Sequence, residues 1–171
     1  MKDVRPTSGR VLSALFNILG DISGARFLDL FAGTGRVGLE ALERGAGSCV
    51  FVESVKARAD SIKNFSPESL ILSLEVRRAV SWLVKREMKF NIIFADPPYS
   101  CGWCDEIFEV PNLEKIFDPD DCVFVIEHSR REPLTPKNNF EIVSQRDYGE
   151  TCLTFLRRKD DYSERRSEID T

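Results

Sequence analysis

Two short stretches hold residue types that can do chemistry. The first is Asp96-Pro97-Pro98-Tyr99, which follows the apolar run NIIFA. Proline has no N–H to donate, so two in succession keep nearby carbonyls out of a helix and available as acceptors. A carboxylate beside such a carbonyl can accept both hydrogens of an exocyclic NH₂. Held this way, the nitrogen lone pair turns out of conjugation with its ring and faces an electrophile. Tyr99 adds a flat face on which a base can stack, worth about 1–3 kcal/mol. The second stretch is Gly33-Thr34-Gly35-Arg36-Val37-Gly38, a GxGxxG spacing after the apolar run RFLDLFA. Its glycines let backbone approach a ligand closely, and the N-terminus of a following helix favours polar or anionic groups. Glu53 ends the next apolar run, where an acid can accept both hydroxyls of a ribose. Each stretch also has a plain reading, as a packing turn or a rigid turn.

The elements around these stretches decide between the readings. Residues 8–20 carry apolar side chains at helical spacing, with Thr7 or Ser8 as cap and Gly20 as stop. From there strands over 26–32, 49–53, 74–78, 91–96 and 122–128 alternate with helices over 36–44, 56–65 and 79–87. That alternation predicts an α/β fold with a mostly parallel sheet covered on both faces. Such sheets bind ligands at the carboxyl ends of their central strands, where Asp96 falls. After the alternating core of 26–129, FEIVSQ (140–145) and CLTFLR (152–157) flank a Gly-containing turn. They predict an antiparallel pair over 140–158 at the sheet edge. Residues 1–158 thus form a single domain, and the charged tail 159–171 is expected to fray.

Length and composition agree with this. A chain of 171 residues with 42% hydrophobic side chains holds one full core, which excludes a disordered or collagen-like protein. No apolar run reaches the roughly 18 residues of a membrane span and no signal peptide opens the chain, so a cytoplasmic location is expected. Five cysteines, an odd number, point to reduced thiols. Cys101 and Cys104 have CxxC spacing but no second pair, and His128 is the single histidine, so no metal is expected. Those two cysteines fall in the loop after Tyr99. Glu127 and His128 read as ordinary strand-end residues, and Arg130 and Arg131 as a surface pair. The net charge of −4 hides an asymmetry. Residues 1–90 hold 14 basic against 10 acidic side chains, a net +4, and residues 91–171 hold 10 against 18, a net −8. A polyanion would more easily meet the first half, where Arg5, Arg10 and Arg36 flank the Gly-rich turn.

DLFAGTG, an acid-ended second strand and DPPY together resemble the S-adenosylmethionine-dependent amino-methyltransferases. More narrowly, Arg5-Pro6-Thr7 with RVLSALFN (10–17), FLDLFAGTGRVGLEAL (27–42), FADPPY (94–99), VIEHSR (125–130) and DYGETCLTFLRR (147–158) resemble the bacterial RsmD-type family. The likeness runs from residue 5 to about 158. It implies a Rossmann-like class I methyltransferase fold and methyl transfer to the N2 amine of a guanine in 16S ribosomal RNA. S-adenosylmethionine is the implied cofactor and ribosomal RNA, within a small-subunit particle, the implied partner, with no obligate protein partner. Asp29, Ala32, Gly33, Thr34 and Gly35 would then line the methionine and ribose end of the cofactor, and Glu53 would take the ribose. Asp96, Pro97, Pro98 and Tyr99 would hold the target amine and its base. At the adenine, Ala79 matches the family, but Arg78 stands where relatives often carry Asn or Asp. Relatives also carry a basic, Gly-containing stretch ahead of the RPT segment, whereas four residues precede Arg5 here, so either weaker affinity for RNA or a truncated chain is expected.

Three other readings share these residues. A DNA adenine or cytosine amino-methyltransferase would use DPPY but usually adds a target-recognition segment, for which no residues are spare. A dinucleotide oxidoreductase would use the Gly-rich turn and Glu53 and leave DPPY unexplained. A silent RNA-binding assembly factor would keep the core without needing Asp96 or Tyr99.

Overall fold

The computed structural model of the chain describes residues 7–159. Its strands are β1 (Arg26–Asp29), β2 (Ser48–Val52), β3 (Leu70–Leu72), β4 (Ile92–Ala95), β5 (Val123–Ser129), β6 (Phe140–Tyr148) and β7 (Thr151–Arg158). Its helices are α1 (Gly9–Leu19), α2 (Arg36–Glu43), α3 (Lys56–Phe65), α4 (Val76–Lys85) and the single turn α5 (Trp103–Glu106). The strands form one sheet in the order β3-β2-β1-β4-β5-β7-β6. Strands β1 to β5 run parallel, and β7 pairs antiparallel with both β5 and β6. The order reverses between β1 and β4, the place where open parallel sheets bind ligands.

Alternation along the buried strands sends side chains to two apolar layers. Phe27, Phe51, Phe94 and Val125 pack under α1, α2 and α3 with Leu15, Phe16, Val37 and Ile62. Leu28, Val52, Ala95 and Ile126 face the other way, against Val76, Val80 and Leu83 of α4. Helix α1 forms because Val11, Leu12, Leu15 and Phe16 share one face and Ser8 Oγ accepts from the Val11 N–H as N-cap. It ends at Gly20, whose N–H donates to the Phe16 carbonyl. At the far edge, β6 and β7 turn through Gly149, which adopts the positive φ (64°) of a tight hairpin. Charged Glu141, Arg146 and Asp147 lie on the outer strand, where they discourage pairing with another chain.

The third strand departs from the sequence reading. It is Leu70-Ile71-Leu72, and the residues expected as a strand, 74–78, form a turn and the start of α4. Val76, Ala79, Val80 and Leu83 are all buried at helical spacing, and this longer periodic signal overrides the short extended one. The link from β4 to β5 also carries unforeseen structure. After α5, single 3-10 turns at Ile107–Glu109 and Leu113–Ile116 bury Ile107, Phe108, Leu113 and Ile116 against the α4 side of the sheet. The loop after Tyr99 is thus anchored from below. Of the expected tail, residues 160–171 lie outside the described residues.

Candidate functional site

Strand ends build the site. Asp29 closes β1, Asp96 follows β4, and Glu127 sits near the end of β5, three neighbouring strands of the sheet. Each lies two residues beyond a side chain of the layer under α1 (Phe27, Phe94 and Val125), so the pleat sends all three acids towards that side. Ala95 and Ile126 are register partners, which makes Asp96 and Glu127 neighbours across a strand spacing of about 4.8 Å.

Crowding acids away from water raises their proton affinity. Burial pushes the Asp29 carboxyl up to about 7, and the charges of Glu53 and Glu127 add to the rise. Neither Asp29 oxygen has a hydrogen-bond partner of ordinary geometry among the described residues, although the Gly38 and Phe31 amides lie near enough to offset part of the effect. Glu127 is pushed up to about 7 by burial, against the pull of the Thr7 hydroxyl, which donates to its Oε2 at 2.9 Å. Asp96 is held well above the usual carboxylate range by burial, then by Glu127 and Asp29.

The Gly-rich turn takes the shape its sequence requires. Gly33 and Gly35 have φ of 55° and 80°, and Gly35 caps α2 with no side-chain hydrogen bond to the helix end. A Cβ on Gly35 would also come within 2.9 Å of Ile62. Glu53 ties the turn to β2: Oε2 accepts from the Gly33 N–H and Oε1 from the Val55 N–H, both at 2.8 Å. Arg58 stands 3.8 Å from the same carboxylate.

Around these residues lies a cleft of about 540 Å³, within the usual range for small-molecule sites. Leu30, Val52, Leu74 and Val76 give it an apolar floor, and Gly33, Glu53 and Glu75 supply polar groups. Phe31 and Trp103 meet edge to face at one wall, with ring centroids 5.0 Å apart, and Arg77 covers the outer face of Trp103. Asp96, Pro97, Pro98 and Tyr99 form the wall opposite Glu53's strand. Beyond Tyr99 a second opening, about 640 Å³, is lined by Ser8, Tyr99, Glu127, Ser129 and Glu132 among others. Glu132 pins the loop between the two, because its Oε1 accepts from the Ser100 N–H at 2.7 Å. A hollow of about 40 Å³ lies between Thr7, Asp29, Ala32, Thr34, Arg36 and Asp96.

Most residues singled out in the sequence therefore come together. Gly33, Glu53, Asp96, Pro97, Pro98 and Tyr99 line the large cleft, and Asp29, Ala32 and Thr34 border the hollow beside it. Ala79 does not join them: it is fully buried in the core beneath α4, because helical spacing turns it inward, and Arg78 points to solvent. Glu75, at the N-terminus of α4, lines that corner of the cleft instead. Arg36 donates to the Thr7 carbonyl at 2.8 Å, which gives it a bracing role. Arg10 is exposed on α1, and Arg5 lies outside the described residues. His128 is a satisfied buried residue, with Nε2 2.8 Å from Thr154 Oγ1 and Nδ1 2.9 Å from the Glu132 carbonyl. Cys49, Cys104 and Cys152 are free thiols, and Cys104 is pushed up to about 11 by burial, then by Glu132 and Asp105. No cluster of three or more metal-ligating side chains occurs among the described residues. No helix among them is long and apolar enough to cross a membrane.

Sequence reasoning missed Phe31, Leu74, Val76 and Trp103, which build the cleft, and undervalued Glu127. Phe31 adjoins the Gly-rich turn and Trp103 the DPPY loop, so proximity to the motifs was the available signal. Leu74 and Val76 were hidden by the misplaced third strand.

The family described as Conserved hypothetical protein 95 matches residues 1–157. A Bacillus subtilis (strain 168) protein named "Putative rRNA methyltransferase YlbH" is 31% identical over 165 residues, spanning 91% of this chain and 88% of its own. The "Ribosomal RNA small subunit methyltransferase D" of Buchnera aphidicola subsp. Acyrthosiphon pisum is 30% identical over 80% of this chain and 73% of its own. Among solved structures, "Putative methyltransferase yhhF" from Escherichia coli superposes with a TM-score of 0.76 at 28% identity, covering 91% of this chain and 89% of that one. The sheet order, with its antiparallel β7, is that of the class I S-adenosylmethionine-dependent methyltransferases. Matched along nearly its whole length in sequence and in fold, the chain belongs to this family, the RsmD-type methyltransferases.

Proposed function

We propose that the chain transfers a methyl group from S-adenosylmethionine to the exocyclic N2 amine of a guanine in small-subunit ribosomal RNA. The observation that carries this is the position of Asp96-Pro97-Pro98-Tyr99 along the large cleft, with Tyr99 also lining the second opening. A group in the cleft and a base stacked at Tyr99 would meet beside Asp96. Relatives named as small-subunit ribosomal RNA methyltransferases support the RNA substrate.

The cleft fits the cofactor on its own evidence. Its apolar floor suits a base, the Glu53 carboxylate suits ribose hydroxyls, and Glu75 offers an acceptor for an adenine amine. Asp29, with two unpartnered buried oxygens, suits a cationic group nearby. When bound, S-adenosylmethionine supplies a methyl group already activated on a sulfonium centre. The protein's share is alignment. Asp96 and the Pro97 carbonyl accept the two amine hydrogens, so that the lone pair points across the wall; as N2 gains the methyl group its surplus proton leaves along the hydrogen bond to Asp96. Donation from that amine also favours the ionised form of Asp96, whose proton affinity burial has raised. Tyr99, 39% exposed at the mouth, offers the stacking face. Alignment of this kind is worth roughly 7–11 kcal/mol.

The test is methyl transfer from labelled S-adenosylmethionine to unmodified small-subunit particles, deproteinised ribosomal RNA and duplex DNA. Nucleoside analysis of the product should give N2-methylguanosine. The acid-lined site repels phosphates and the base must be unstacked at a cost of a few kcal/mol, so particles that present it ready should react more than about tenfold faster than naked RNA. Label in DNA, or on another base, would overturn the assignment.

A further inference from the structure

Of the carboxylates that line the second opening, Glu132 accepts from the Ser100 N–H and Glu150 pairs with Arg131 at the exposed rim, which leaves Glu127 as the buried one beside Asp96. Asp96 is accounted for by the amine. Glu127 lines the second opening beside it and is only 4% exposed, with a single side-chain hydrogen bond among the described residues, from Thr7 to Oε2. A carboxylate accepts through both oxygens, so this bond leaves capacity for a ligand. Burying an acid without using it is costly, and a carboxylate at this position does nothing for the sheet that an apolar residue would not do better.

The edges of the bases differ in what they can offer two adjacent acceptors. Guanine presents N1–H directly beside its N2 amine, a run of donors. Adenine presents the bare N1 acceptor beside its N6 amine, and cytosine the bare N3 acceptor beside its N4 amine. A carboxylate next to the one that holds the amine would repel those lone pairs. We infer that Glu127 is the guanine-reading residue, accepting from N1–H while Asp96 accepts from the N2 amine. This rests on the guanine-N2 reading above and adds the group that enforces it. Thr7 orients Glu127 from a segment 120 positions away, and the Thr7 carbonyl is held in turn by Arg36. Thr7 and Arg36 are thus positioning residues.

The base 2-aminopurine separates the two ideas, because it keeps the N2 amine and lacks the N1 hydrogen. Ribosomal RNA with guanine or 2-aminopurine at the modified position, made by splint ligation and reassembled into small-subunit particles, would be methylated under single-turnover conditions. The wild-type enzyme should favour guanine by about tenfold or more, the scale on which one well-placed polar pair discriminates between bases. Glu127→Gln can turn its amide N–H towards a bare N1, so the preference should shrink to within about threefold with cofactor affinity unchanged. Equal wild-type rates on the two particles would overturn the role of Glu127 and leave guanine methylation standing. A strong preference retained in Glu127→Gln would overturn it as well. No transfer to the guanine particle at all would overturn both. Should Glu127→Gln fail to fold, the wild-type ratio alone decides.

Discussion

At the scale of single residues, the two acids recognised in the sequence have separable tasks. Glu53 holds the Gly33 and Val55 amides and lines the cleft, so Glu53→Ala loosens the turn and, on the proposed reading, removes a ribose acceptor as well. Charge-assisted hydrogen bonds contribute roughly 1.5–3 kcal/mol, and calorimetry should show S-adenosylmethionine affinity falling tenfold or more. In the proposed reaction Asp96 faces the target amine, so Asp96→Ala should leave cofactor affinity within a few-fold and abolish single-turnover transfer. A near wild-type rate would make Asp96 a turn residue. Both acids were legible because each ends an apolar run beside a turn whose chemistry is written in glycine or proline. Glu127 was not. An acid at a strand end looks the same whether it meets water or a cleft, and nothing local announces that Thr7 will close over it.

At the scale of elements, the strands were legible wherever burial on both faces made them continuous apolar runs. Strand β3 was not, because three residues make a weak signal and LEVRR imitates a strand until its place on α4 is known. The short helices before β5 were missed because their buried residues follow no single period. Helix α2 bears on the site most directly, since its N-terminus opens from the Gly-rich turn. It lies so close to β2 that a Cβ on Gly38 would stand 2.3 Å from Phe51 and 2.7 Å from the Cys49 sulfur. Gly38→Ala should therefore destabilise the fold by about 1–3 kcal/mol, the usual cost of overpacking a rigid core. Thermal melting tests this, and an unchanged midpoint would mean that α2 can slide outward freely.

At the scale of the whole molecule, the acids at the strand ends tie stability to pH. Folding raises the carboxyls of Asp29 and Glu127 from ordinary values of 3.8 and 4.5 to about 7. Between those values and about 7 the folded state binds more protons than the unfolded one, so stability falls as pH rises through that window. The ligand-free protein should melt at a lower temperature at pH 8 than at pH 6. Asp29→Asn should raise the midpoint at pH 8 by roughly 5 °C and narrow the gap, at 2–4 °C per kcal/mol for a chain of this size. A gap of wild-type width in the variant would show that Asp29 is already neutralised by other means.

The brace from Arg36 through Thr7 to Glu127 has a further consequence, because it runs through two side-chain hydrogen bonds ahead of α1 while the large cleft rests on the sheet itself. The two halves of the site have unequal roots. Loss of either bond, as in Thr7→Val, would free Glu127 without disturbing β1, β2 or β4. If Glu127 reads the base as proposed, such a variant would still fold and fill its cleft, but with its choice of base relaxed. Accuracy would fail before activity does.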